Sequence, residues 1–176
     1  MINDIISEIS PVYGFCDFEP FRDKLINCRA KGRLPEKAKS IIVMLFPYYL
    51  GKDEYKDINI SRYAVVTDYH LAINRAVENG LHELREAYPD EQFVFFTDNS
   101  PIPEVQAAMD AGLGVKGKNR LLINKEYGSW FFISEIVTTM DLPAAEKKET
   151  ECLNCGKCIA ACPTHALSED GLQKEL

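Results

Sequence analysis

The sequence predicts an α+β domain followed by a short cysteine-rich segment. Three observations carry this: two continuous apolar runs of strand length, a long stretch of helical period between them, and four cysteines within eleven residues near the carboxyl end. With 176 residues, 46 % hydrophobic and 27 % charged, the composition is globular and the length allows a core that needs no disulfides.

Ile41 to Phe46, bounded by Ser40 and Pro47, is an unbroken apolar run that suits a strand buried on both faces. From Ser61 to Tyr88, apolar residues recur at Val66, Tyr69, Ile73, Ala76, Val77, Leu81 and Leu84, steps of three and four that predict an amphipathic helix ended by Pro89. Phe93 to Thr97 reads as a second buried strand. Pro103 to Ala111 predicts a short helix, with Pro in its first turn, Glu104 complementing the dipole and Gly112 as its stop. Leu121 to Asn124 and Trp130 to Thr139 predict a hairpin across Lys125 to Gly128. Asp141 to Thr150, with Pro143 and a Glu-Lys-Lys-Glu run, is expected to be a solvated connector.

Twenty Lys and Arg against twenty-seven Asp and Glu give a net charge of −7, which argues against a general nucleic-acid binder. The longest apolar run, Ile41 to Leu50, is too short to span a bilayer and contains Pro47. No secretory signal is visible at the amino end, so a cytoplasmic protein without a membrane partner is expected.

Cys152-Leu-Asn-Cys155-Gly-Lys-Cys158-Ile-Ala-Ala-Cys162-Pro163 has the C-x2-C-x2-C-x3-C-P spacing of bacterial ferredoxins. Three thiolates on a tight loop reach three corners of one 4Fe-4S cluster, and the fourth, at a helix start, serves a neighbouring cluster. A zinc site is the lesser alternative, because such sites usually pair two separated C-x2-4-C units. Cys16 and Cys28 have no partners at ligand spacing and are expected to be small buried hydrophobes. A second run that would complete the ligand set is not in the sequence. Either the chain is a fragment of a longer protein, the favoured reading, or the cluster is completed from elsewhere.

Gly112-Leu-Gly114-Val-Lys-Gly117-Lys118-Asn119 matches a dinucleotide fingerprint and nearly a phosphate loop. Both need a strand before the glycines and a helix after, whereas here the predicted order is reversed and Asn119 stands at the Ser/Thr position. The glycines then serve a helix stop and tight turn, or let the backbone approach a bulky cofactor.

An ordered set of segments resembles the epoxyqueuosine reductase family. It comprises Arg62-Tyr63-Ala64, Asp68-Tyr69-His70, Asp98-Asn-Ser-Pro101 with Glu104, Ala111 to Gly114, Gly117-Lys118-Asn119, Leu121-Leu122-Ile123, Gly128 to Phe132, Glu135-Ile136, and the cysteine run through Leu167. The resemblance departs at Val115-Lys116, where the family pattern carries Trp-Ile. It implies a nitroreductase-like cobalamin-binding domain over residues 1–145 and a partial ferredoxin-like 4Fe-4S segment over 146–176, the pairing also found in reductive dehalogenases.

The implied activity is reduction of an epoxide on a modified tRNA wobble base, in queuosine biosynthesis. Electrons would pass from 4Fe-4S to cobalt, and a flavodoxin- or ferredoxin-type partner would supply them. Asp98 matches the family's proton donor, a role that a raised carboxyl pKa would suit. Arg62, Tyr69, His70, Asp98, Lys118, Asn119 and Leu122 would contact cobalamin or substrate; Cys152, Cys155, Cys158 and Cys162 would hold iron. The basic tail that would grip tRNA is not in the sequence. A monomer or weak oligomer is expected, and the rival reading is an electron carrier or subunit without catalysis of its own.

Overall fold

The computed structural model describes residues 1–49, 51, 59–146, 152–169 and 171–173. In chain order its main elements are α1 (Ile2–Ile9), β1 (Val12–Asp17), β2 (Ser40–Pro47), α2 (Tyr69–Ala87), β3 (Phe93–Thr97), α3 (Glu104–Asp110), β4 (Val115–Lys116), β5 (Leu122–Ile123), β6 (Phe131–Thr138), α4 (Lys157–Ala160), β7 (Leu167–Ser168) and β8 (Gly171–Leu172). The α+β class is as expected.

Four strands form an antiparallel sheet in the order β1-β2-β6-β3. The unbroken apolar run of β2 is explained by its central place: side chains on both faces meet protein, and Ile41 to Leu45 are fully buried. Strand alternation sends Ile42, Met44 and Ile136 toward Ile5, Ile6 and Ile9 of α1 and Ile73, Val77 and Leu84 of α2. Ile41, Val43, Leu45 and Val137 go the other way, toward Phe18, Phe21, Ile102 and the alanines of α3. Helical layers thus cover both faces. Where α3 ends, the chain comes so close that a Cβ on Gly14 of β1 would lie 2.2 Å from the Ala111 carbonyl oxygen.

Several expectations are corrected. The predicted helix from Ser61 begins only at Tyr69, after a separate 3-10 turn at Arg62–Ala64. Val65, Val66 and Thr67 are β-branched and poor helix starters, and Asp68 caps the first turn by accepting from the His70 N–H. No hairpin joins β5 to β6. Strand β5 pairs with β4, while β2 and β3 occupy the two edges of β6. Between β5 and β6, the Asn124 side chain accepts from the Glu126 and Tyr127 N–H groups and closes a local turn, leaving a single Asn124–Gly128 bridge.

The connector is anchored at its start rather than solvated. Leu142 is buried with its N–H on Ser40 Oγ at 2.9 Å, and the Ala145 N–H reaches the Phe15 carbonyl. Apart from Glu146, the Glu-Lys-Lys-Glu run lies outside the described residues. Cys16 is buried as expected, but Cys28 is only half-buried, 3.9 Å from the Asn99 carbonyl. Among the described residues, no helix is long and apolar enough to cross a membrane.

Candidate functional site

The site is assembled where β3 runs out and α2 begins. Asp98 and Asn99 follow β3 with φ of 53° and 50°, consecutive left-handed residues of the two types that tolerate it best. This kink throws the Asp98 carboxyl toward the first turn of α2. There the Tyr69 hydroxyl donates to Asp98 Oδ2 at 3.1 Å, and His70 Nε2 stands 3.5 Å from the same oxygen. The other imidazole nitrogen faces Asp68 Oδ1 at 3.0 Å, so the ring spans two carboxylates.

Asp98 was expected to have a raised pKa, and the structure reverses that. Its side chain is 61 % exposed, and the Asn99 N–H, the Tyr69 hydroxyl and His70 all favour the anion, holding it below the ordinary carboxylate range. Tyr69 moves the other way, to about 12, through burial and its donation to Asp98.

Two adjoining hollows meet at Tyr69 and Phe132, whose rings stack at 4.2 Å. One, of about 590 Å³, is lined by Tyr63, Asp68, His70 and their neighbours; the other, of about 310 Å³, by Asp98, Glu104, Leu122 and Phe131 among others. Both are open to solvent, with apolar or aromatic walls and a few carboxylates. Such a face fits a broad planar cofactor lying across it, in contrast to a small ligand enclosed within. Of the residues expected from the sequence, Tyr69, His70, Asp98 and Leu122 come together here. Arg62 lies instead over Trp130 and Tyr49, 4.8 Å and 5.6 Å from their ring centres. Asn119 accepts from the Leu121 N–H, and the Lys118 side chain pairs with Glu169.

The glycine loop takes its form from packing. Gly112 ends α3 at φ +75°, and a Cβ on Gly114 would lie 2.5 Å from the Ile123 carbonyl oxygen across the β4–β5 pair.

The cysteine segment reaches this loop. Asn154 and Gly156 adopt φ of 51° and 69°, which bends the chain tightly between Cys152 and Cys158. N–H groups of Asn154 and Lys118 on Cys152, and of Leu167 with the Thr164 hydroxyl on Cys162, lower both thiol pKa values and favour the thiolate, the form a metal ligand must take. The four-thiol donor set suits an iron–sulfur cluster, although among the described residues no three candidate ligands are already gathered. Cys162 follows α4 and does not start a helix, its N–H closing that helix on the Ile159 carbonyl.

Sequence reasoning missed a carboxyl pair. The sequence places Glu104 at a helix dipole and within the family resemblance without a task of its own; burial and the Asp98 charge push it up to about 7. Glu135 is fully buried in β6, and a charged residue set among Ile133, Ile136 and Val137 was the available signal.

A family model described as epoxyqueuosine reductase QueG, DUF1730, matches residues 30–99, and a 4Fe-4S binding domain model matches residues 145–168. Epoxyqueuosine reductase of Cyclobacterium marinum is 38 % identical over 146 residues, covering 80 % of this chain and 46 % of that protein. The chain thus spans about half the length of this relative. Among solved structures, epoxyqueuosine reductase from Streptococcus thermophilus superposes with a TM-score of 0.78 at 23 % identity, over 98 % of this chain and 54 % of that one. An epoxyqueuosine reductase bound to an epoxyqueuosine-modified tRNA stem loop gives 0.65 at 23 % identity, over 94 % and 52 %. A reductive dehalogenase whose structure suggests B12-dependent dehalogenation gives 0.58 at 15 %, over 98 % and 23 %.

Proposed function

Because the chain belongs to the epoxyqueuosine reductase-like family, we propose that it is an oxidoreductase: residues 1–145 hold cobalamin and residues 146–176 a 4Fe-4S cluster. The observation that carries this reading is the convergence of Tyr69 and His70 on Asp98 at the mouth of an open, aromatic-walled hollow. The Lys118 N–H, four residues before Leu122 of that hollow, reaches Cys152. When bound, cobalamin would supply reducing cobalt and the cluster the electrons that restore it.

The chain's own residues then have definite tasks. Tyr69, Phe132 and Leu122 offer apolar surface to the macrocycle, while the Cys152, Cys155, Cys158 and Cys162 thiolates hold iron. Arg62, which lies over Trp130, and Lys118 and Asn119 of the glycine loop, just ahead of Leu121 and Leu122, would be further contacts. Asp98 passes a proton to the oxygen leaving an epoxide; Tyr69 and His70 fix its carboxyl and stabilise the anion that remains. The substrate is the modified wobble base of a tRNA, by relation to the structure solved with a stem loop. A flavodoxin- or ferredoxin-type donor supplies electrons in the cytoplasm.

Trp130 is the sole tryptophan and stacks on Tyr49 beside this face, so its fluorescence reports corrin binding. Titration with cobalamin should quench it saturably in the native chain and in Asp98→Asn alike. With an epoxyqueuosine stem loop, Asp98→Asn should lose turnover. Absence of corrin binding in the native chain contradicts the proposal; loss of binding in Asp98→Asn alone makes that residue structural.

A further inference from the structure

Two carboxyls lie behind Asp98 without an assigned task. Glu135 sits in the middle of the sheet between Val43 and Phe96, wholly enclosed, and neither of its oxygens has a hydrogen-bond partner. The Ser100 hydroxyl, which accepts from the Ile102 N–H, is the polar group that partly offsets its burial. Glu104 opens α3 and lines the Asp98 hollow together with Tyr69, Leu122 and Phe131. The three carboxyls therefore run inward in order of burial: Asp98 exposed, Glu104 half-buried, Glu135 closed off. Each acts on the next, since the Asp98 charge raises the pKa of Glu104 and the Glu104 charge raises that of Glu135.

An ionised carboxylate in the centre of a sheet, with no hydrogen bond to it, is strongly unfavourable, so Glu135 keeps its proton. Asp98 is in the opposite position, with three donors around it, and it stays ionised at neutral pH. A group that rests as a carboxylate cannot deliver a proton until it has received one. The other carboxyl lining the same hollow, and the one whose surroundings favour the acid form, is Glu104.

We propose that Glu104 is the proton store of the Asp98 site, with Glu135 sealing its inner side. This rests on the reading of Asp98 as the acid and extends it. In the transfer, the O–H bond of the Glu104 carboxyl breaks and an O–H bond forms on the Asp98 carboxylate, directly or through one water. Glu104 is left as the anion and takes a proton back from solvent through the open hollow; no electrons move. Glu104 acts through Asp98 and is a positioning residue. The other charged or titratable groups around the series are Tyr69 and His70 of α2 at its outer end and Lys116 of β4 along a groove shared with Glu104. Cys16 of β1, which senses Glu135, Asp110 and Asp17, lies on the inner side.

Side-chain carboxyl NMR titration of the full chain tests this independently of turnover. The expected result is a Glu104 midpoint near neutrality, about 7, an Asp98 midpoint below the ordinary carboxylate range, and a downward shift of Glu104 in Asp98→Asn. Titration of Glu104 alongside exposed glutamates, or a midpoint that Asp98→Asn leaves in place, overturns the proposal. In the corrin-loaded chain turning over the stem loop, Glu104→Gln should remove the alkaline limb of the rate profile without changing Trp130 quenching, and Glu104→Asp should restore it. Failure of corrin to quench Trp130 in the native chain would contradict the proposed function and leave the carboxyl titration to judge the store.

Discussion

Glu104→Gln preserves shape and removes one titrating group, so its effect on stability can be worked from the surroundings of that side chain. Burial first and the Asp98 charge second raise the Glu104 carboxyl from 4.5 to about 7. The unfolded chain releases this proton near the lower value, whereas the native chain holds it to the higher one. Within that window the native state binds more protons, so stability is full below it and falls as pH rises through it. Over the span from 4.5 to about 7, at roughly 1.36 kcal/mol per pH unit, the loss is about 3 kcal/mol. Glutamine has no such dependence.

The unfolding free energy of the native chain relative to the variant should therefore drop by about 3 kcal/mol across this window and level off above it. Urea unfolding followed by Trp130 fluorescence, run on both proteins at a series of pH values, measures the difference. Two stability curves that stay parallel across the window would refute the reasoning, because a constant offset reports packing and not a proton.

Gly14→Ala should destabilise the fold by about 2–3 kcal/mol in the same assay, since the new Cβ meets the Ala111 carbonyl, which is backbone and cannot swing away. Asp68→Ala should lower the melting temperature at neutral pH, because α2 loses its cap; Asp68→Asn should keep the cap and most of the stability. A thiol reagent should label Cys155, which is exposed, long before Cys16, which is buried with its thiol pushed up to about 12; rapid labelling of Cys16 in the folded chain would contradict its buried place in β1.

What could be read from the sequence follows the reach of each signal. Strands β2 and β3 were legible because an apolar run bounded by Pro47 or by polar turns admits few other structures. The body of α2 was legible from the spacing of Ile73, Val77 and Leu84. Its start was not, because Val66 continued the period while three β-branched residues and the Asp68 cap decided the boundary. Partners in the sheet were also hidden. Nothing local tells β6 to insert between β2 and β3 in preference to folding back on β5; that pairing is set by the core.

The site shows the same division. The cysteine run carries its chemistry in its own spacing. The meeting of Tyr69, His70 and Asp98 depends on a left-handed kink 29 residues from Tyr69, and there the family resemblance contributed more than the local pattern did. The resemblance marked Asp98 but gave no access to its pKa, which three nearby donors lower against the expectation from burial. The carboxyl pair escaped because Glu104 has an ordinary explanation at a helix start, Glu135 carries no local pattern of its own, and nothing in the sequence brings the two together.

The central claim is that one chain brings a corrin and an iron–sulfur cluster to adjoining surfaces. Anaerobic reconstitution with iron, sulfide and cobalamin, followed by absorption spectroscopy, tests it most directly. The account predicts that both chromophores remain with the chain through gel filtration, and that Cys158→Ser loses the iron–sulfur absorption while retaining the corrin. A chain that retains neither chromophore would contradict it.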